Sequence, residues 1–374
     1  MSDTYQPMPE PIGSQSSQPS TPQPTGSSQP PMPEPIGSSQ PPMPEPVGSL
    51  PDQSSAAQPV NTRPGHPLGI LPRKLGLLAD LAGTWVGTGF NVISLPDFDS
   101  TPPSTGPKTS RLLLSSTIET LQFTPIGGSV PNRGAVTAIG ATTGQPDIAL
   151  NGLSYLQRIS DFTTNQALHI EPGFWLSIPP TTMFPPQPAA TIARLSTIPH
   201  GDSLTAPGGG FGLSGGPQIP VASTLPSRDG TVLGPPHTDP FQNPVLPPNF
   251  EAGYVLNPNQ ALQDAIVGQT ITDTIVLIVS TRSTNLTTPT PAVAQDPNPA
   301  GTVIDIPSPS GGITNIPFVV QNAAAKQLDA IFWIETVQQP DGSTFMQLQY
   351  TQTVILNFLG IDWPHVSVAT LVKQ

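Results

Sequence analysis

The stretch from Met346 to Phe358 constrains this chain more than any other. One parity reads Met346, Leu348, Tyr350, Val354, Leu356 and Phe358, broken only by Gln352, while the other begins Gln347, Gln349, Thr351 and Thr353. A period of two sustained over that length belongs to a β-strand with one buried face. It is more than twice the usual strand of about five or six residues, as the wall of a barrel requires. Runs of the same kind occur at Gly83 to Leu95, Arg111 to Phe123, Asp147 to Ile159, Ala167 to Ile178, Ala190 to Ile198, Thr270 to Ser280, Leu328 to Val337 and Val366 to Val372. About nine strands divided by Gly/Pro turns predict an all-β sandwich or barrel and argue against an α/β arrangement. Strand length favours an antiparallel closed barrel. One short amphipathic helix is expected within Leu68 to Leu81, where Leu71, Leu75, Leu77, Leu78 and Leu81 precede the first strand.

The prolines divide the chain. Of 374 residues 53 are Pro and 34 Gly, and 16 of the prolines fall within residues 1–60. Residues 1–60 hold no Lys or Arg and a single aromatic, Tyr5, in a mixture of Pro, Ser, Gln and Gly. Such a stretch cannot bury enough apolar surface to offset chain entropy. The expected organisation is therefore a disordered arm, 1–66, and one β-barrel domain, 67–374. Within the arm, Met8-Pro9-Glu10-Pro11-Ile12-Gly13-Ser14 recurs from Met32 to Ser38 and, with Val47, from Met43 to Ser49. Copies this short cannot stack as solenoid units, and their proline spacing favours polyproline II. The arm then reads as a spacer or as a docking peptide for a protein partner. Two further Gly/Pro/Ser-rich stretches, 199–260 and 283–312, are expected to be irregular insertions packed across the barrel mouth.

Composition excludes several classes of function. The formal net charge of −12 and pI near 4.6 argue against a nucleic-acid partner, which needs clustered Lys and Arg. No apolar run reaches the roughly 18 residues of a membrane span, and the N-terminus is acidic and polar where a signal peptide would be basic and then apolar. The expectation is a soluble, cytoplasmic protein. Cysteine is absent, which removes disulfides, thiolate nucleophiles and thiolate iron ligands. The Asn285-Leu286-Thr287 sequon needs a secretory route to matter. Gly212-Leu213-Ser214-Gly215-Gly216 formally matches a nucleophile elbow but lacks the strand-to-helix context. Glu119, Glu171 and Glu335 are expected to be salt-bridged or solvent-facing strand residues rather than a catalytic carboxylate pair.

The two ends of the barrel region carry a resemblance. Gly83-Thr84-Trp85-Val86-Gly87-Thr88-Gly89 resembles the Gly-x-Trp-x-Gly-x-Gly opening of the nitrobindin family of haem-binding β-barrels. Glycines at alternate positions permit tight coiling where a barrel closes, and Trp85 would plug the base. A Gly-x-Trp opening also occurs in lipocalins. At the other end, Gln352-Thr353-Val354 followed by Trp363-Pro364-His365-Val366 is similar to the nitrobindin C-terminus. The resemblance implies a lipocalin-like barrel binding haem b, with His365 as the proximal iron ligand and nitric oxide or a reactive nitrogen or oxygen species as the small ligand. After Gly89 the chain departs from that family, reading Phe90-Asn91-Val92-Ile93 without a further Gly or a Tyr-Pro pair.

Among five histidines, His66 and His237 lie in low-complexity surroundings. His365 follows a backbone-fixing proline; its other reading is a turn histidine. His169 alternates with apolar neighbours and reads as a wall residue paired with a carboxylate or as an iron or distal residue. His200, in Ile198-Pro199-His200-Gly201-Asp202, reads as a turn residue or as part of the site. Arg133 and Arg158 are candidates for haem propionates or ordinary surface arginines. The alternative to haem is a lipocalin-like carrier of an apolar small molecule, and the third reading is a structural or interaction module.

Overall fold

The computed structural model describes residues 74–97, 110–136, 144–181, 190–282 and 311–374. They belong to one compact unit, Pro64–Gln374. The arm with its repeats, His66, the sequon and most of the 283–312 stretch lie outside the described residues.

Ten long strands form a closed antiparallel barrel. They are β1 (Gly83–Leu95), β2 (Arg111–Pro125), β3 (Ile148–Asp161), β4 (Ala167–Ile178), β5 (Thr191–Ile198), β6 (Asp202–Ser214), β7 (Thr270–Ser280), β8 (Ala324–Gln338), β9 (Thr344–Phe358) and β10 (Ile361–Lys373). Each pairs with its neighbour in sequence, and β1 closes the ring on β10 in a register running from Trp85 opposite Lys373 to Ile93 opposite His365. Nine of the ten are the strands read from alternation. The tenth, β6, lies in the region expected to be an irregular insertion; its inward positions Leu204, Ala206, Gly208, Gly210 and Gly212 give almost no hydrophobic signal.

One face of every strand fills the barrel. Trp85, Leu121, Phe123, Leu153, Tyr155, Trp175, Leu277, Phe332, Ile334, Leu348, Tyr350 and Leu371 form its inner core. The expected helix is a short 3-10 turn, Gly76–Leu81, and it plugs one end of the barrel with Leu75, Leu78 and Leu81. Trp85 is fully buried there, and its indole N–H donates to the Leu81 carbonyl at 2.7 Å. The glycines of the opening motif let strands approach. A Cβ on Gly87 would sit 2.1 Å from the Thr370 carbonyl oxygen, and one on Gly89 2.2 Å from that of Val368.

The second face is not left to solvent on most of the wall. The connection from Gly215 to Gln269 leaves the plugged end and runs up the outside, where Ile219, Ala222, Phe241, Phe250, Tyr254, Val255, Ala261 and Leu262 pack on the outward side chains Val92, Val276, Ile331, Trp333, Val366 and Val368. A short helix, α1 (Asn259–Ala265), lies over β9 and β10. The expectation that 199–260 spans the barrel mouth is therefore corrected: the first part is β6, and the rest builds a second hydrophobic core on the outer wall. The connection reaches the far rim at several points: Ser94 donates to the Thr224 carbonyl at 2.6 Å, Ser227 pairs with Asp362, the His237 ring lies 6.1 Å from Trp363, and Pro240 to Val245 line a cleft with the start of β2. The covering also buries the polar parity of β9, with Gln347, Gln349, Thr351 and Thr353 all withdrawn from water and Gln349 donating to the Leu262 carbonyl at 2.9 Å.

From the last stretch, Gly312–Asn315 pairs with β6 and leads into α2 (Pro317–Asn322). Among the described residues, no helix is long and apolar enough to cross a membrane.

Candidate ligand site at the open end of the barrel

Partway up the barrel a polar layer interrupts the inner core, which continues beyond it on the β5–β9 side through Ile198, Leu204, Leu328 and Val354. Across the strands, inward positions change from Leu121 to Glu119, from Tyr155 to Gln157, from Trp175 to Glu171 and from Tyr350 to Gln352. Glu119 is fully withdrawn from water, accepting from Tyr350 Oη at 2.7 Å and from Gln157 Nε2 at 2.7 Å. Burial raises its pKa to about 7 against the pull of those two hydrogen bonds. The other half of the layer is centred on Arg194. Its guanidinium donates to Glu171 Oε1 at 2.6 Å, to Gln352 Oε1 at 2.6 Å and to the Tyr155 hydroxyl at 3.0 Å, so every nitrogen has a partner. Tyr155 also donates to Glu171. Burial alone would raise the Glu171 carboxyl, but Arg194, His169 and Tyr155 together carry it well below the ordinary carboxylate range, and it is ionised. The sequence expectation of solvent-facing or simply salt-bridged glutamates is corrected here: Glu171 is paired but in the barrel interior, Glu119 is buried without a cation bonded to it, and Glu335 sits under the outer covering with Gln347 at 2.6 Å.

Above this floor stand three imidazoles, two of them in contact. His365 has the inward parity of Ala369 and Leu371 and stands beside Val354 and Ile93. His169 has the inward parity of Glu171 on β4. His200 occupies the β5–β6 turn, and its ring lies 5.4 Å from that of His169. In strand order, β10 lies four places from β4 around one side of the ring and six around the other, so His365 and His169 project from nearly opposite walls. Burial first, then the charges of His169 and His200, depress the His365 pKa to about 4. His365 is therefore a neutral imidazole at pH 7, with one ring nitrogen making a long 3.4 Å contact to Ser367 Oγ. His200 is likewise lowered, by burial and by His169.

The structure sets His169 and His200 in contact, with His365 on the facing wall, and leaves the other candidates elsewhere. Trp85 lies eight residues along the β1–β10 register from His365, about 26 Å at the rise of a strand. Its role is to plug the closed end. Arg133 is exposed and ion-paired with Asp147 at 2.6 Å beside the start of β3, also toward the plugged end. Arg158 is an exposed outward residue of β3, opposite Ile170. The residues that sequence reasoning missed are Arg194 and Gln352. Arg194 was legible as a lone charge inside the apolar alternation of Thr191–Ile198, and Gln352 as the one break in the apolar parity of β9.

The donor set fits a group that needs one protein ligand. Among the described residues, no three His, Asp or Glu side chains could together hold a bare metal ion. A haem would need only one neutral imidazole, and His365 would be the residue to hold it; thiolate ligation is excluded by the absence of cysteine.

Fold and site thus define a closed antiparallel barrel, plugged at one end and histidine-lined at the other. No family model matches the chain, and no curated protein matches it. Among solved structures it is similar to Rv2717c from M. tuberculosis, at 14% identity over 80% of this chain and 98% of that one, with a TM-score of 0.33.

Proposed function

We propose that the open end of the barrel binds haem b through His365 and, on the iron, a small ligand such as nitric oxide or a reactive nitrogen or oxygen species. The observation that carries this reading is the state of His365: an inward, neutral imidazole at the open end, lightly bonded to Ser367, at the position where the C-terminal resemblance implies an axial ligand. Bound haem would supply an open coordination position, and the chain would supply a floor of Arg194, Gln352 and Glu171 that keeps water out of the barrel below. The test is reconstitution of the full chain with hemin. A Soret band that His365→Ala abolishes, with the β-type circular dichroism intact, supports the reading; a band that survives that change and is lost in His169→Ala assigns the ligand wrongly.

The second reading is an iron-free carrier of an apolar small molecule, favoured by Ile93, Val354 and Ile198 around the same opening. Organic extraction of the purified protein followed by mass spectrometry, with no Soret band, would establish it instead.

A further inference from the structure

His169 carries more structure than a wall histidine needs. Its Nε2 lies 3.2 Å from Glu171 Oε2, and Glu171 is locked in turn by Arg194 and Tyr155. Because that carboxylate can only accept, the proton between them belongs to Nε2. In the neutral ring Nδ1 is then bare. Fixing a histidine's tautomer through a buried carboxylate is how a protein turns an imidazole into a proton acceptor of defined direction.

Resting on the haem reading above, we propose that His169 is the proton acceptor opposite His365, with Glu171 as its positioning residue, and that among the ligands of that reading the site favours protic reactive oxygen species over nitric oxide and other ligands without a proton. Hydrogen cyanide or hydrogen peroxide would give its proton to Nδ1 and bind as the anion; the imidazolium so formed stays paired with Glu171, whose charge is already in place. Carbon monoxide has no proton to give and gains nothing from this arrangement. Arg194 makes the device rigid: with all its nitrogens engaged it cannot leave Glu171, and Glu171 cannot swing from His169. His200 packs beside the His169 ring, at 5.4 Å between ring centres, and is hydrogen-bonded to the Leu168 backbone.

Two measurements decide it. Nitrogen-15 spectra of the ring nitrogens in the iron-free full-length protein should show His169 as the Nε2–H tautomer, with that preference lost in Glu171→Gln; an Nδ1–H tautomer in the wild-type protein overturns the proposal whether or not haem binds. In the hemin-loaded protein, His169→Gln, which leaves the Arg194–Glu171 pair in place, should slow cyanide association with the ferric form at least tenfold. Carbon monoxide association with the ferrous form should change less than twofold. Equal slowing of both ligands, or of neither, makes His169 a merely structural residue. Failure to take up haem at all refutes the reading of the previous subsection, and the tautomer then decides the placement of the proton by itself.

Discussion

Arg194 and Glu171 form an ion pair at 2.6 Å in the interior of the barrel, their side chains 1% and 0% exposed. Taking two charges out of water costs several kcal/mol each, and only close pairing with full hydrogen bonding offsets it. Removing one partner should therefore cost more than removing both. Arg194→Met is expected to destabilise by about 3–5 kcal/mol, because it strands a buried carboxylate. Arg194→Met combined with Glu171→Gln should cost clearly less than the sum of the single changes, as urea melts of the four proteins would reveal.

Glu119 gives the barrel a pH dependence of opposite sign to that of Glu171. With a folded pKa raised from 4.5 to about 7, Glu119 favours folding while protonated, so its contribution is complete below pH 4.5 and is lost as pH rises toward 7. The loss is at most about 3 kcal/mol. Glu335, also raised to about 7 by burial, adds to the same window. Glu171, held low, loses its stabilising share only as pH falls below 4.5. His365, its pKa held down to about 4, opposes Glu119 and Glu335, losing stability as pH falls from 6.5 toward 4. The decline that the two glutamates impose toward neutrality is therefore partly offset, and Glu119→Gln should flatten what remains of it in denaturant melts across pH 4.5–7.

The outer covering is part of the fold. Phe250 packs on Phe90 and Tyr254 at ring separations of 5.2 and 5.7 Å inside the second core. Phe250→Ala should cost about 3–5 kcal/mol, the usual range for a buried aromatic. Replacing 216–268 by a short turn would bare Trp333, Val276, Ile331, Val366 and Val368, so the product should bind an apolar dye and aggregate. A shortened protein that stays monomeric with an unchanged melting temperature would show that this packing contributes nothing.

The close approach at Gly87 makes it intolerant of any side chain. A Cβ there meets backbone rather than the movable end of a side chain, so Gly87→Ala should lower the melting temperature well beyond the effect of the same change at Gly253, where no atom lies within 4 Å.

Nine strands were legible because their inward positions are mostly large and apolar and their runs are bounded by Gly/Pro turns, even where outward positions such as Val276, Ile331 and Trp333 are apolar too. The same logic hid β6, where inward glycines admit the β7 backbone and plug-helix Leu77: a Cβ on Gly210 would lie 2.3 Å from the Val276 carbonyl oxygen and 3.2 Å from Leu77. It also hid the second core, since Gln347 and Gln349 look like solvent-facing residues until their amide groups donate to Gln269 and to the Leu262 carbonyl of the covering. The histidines could be named from sequence, but not their arrangement. That depends on which strands end up across the barrel from one another, and no local pattern encodes it. Arg194 and Gln352 were visible as breaks in alternation, and two such breaks on separate strands bond to each other in the interior.

The pairing of β1 with β10 has a consequence for synthesis on the ribosome. Residues Trp85 to Ile93 find their second partner only in His365 to Lys373. Until those residues have cleared the exit tunnel, β1 has a bare edge, the interior is open along its length, and Glu119, Glu171 and Arg194 stand in water on an unclosed sheet. Non-local closure of this kind is slow and leaves strand edges open to wrong partners. A nascent chain arrested at residue 360 should thus be far more sensitive to protease than one arrested after all 374 residues have emerged, with little gradation between them.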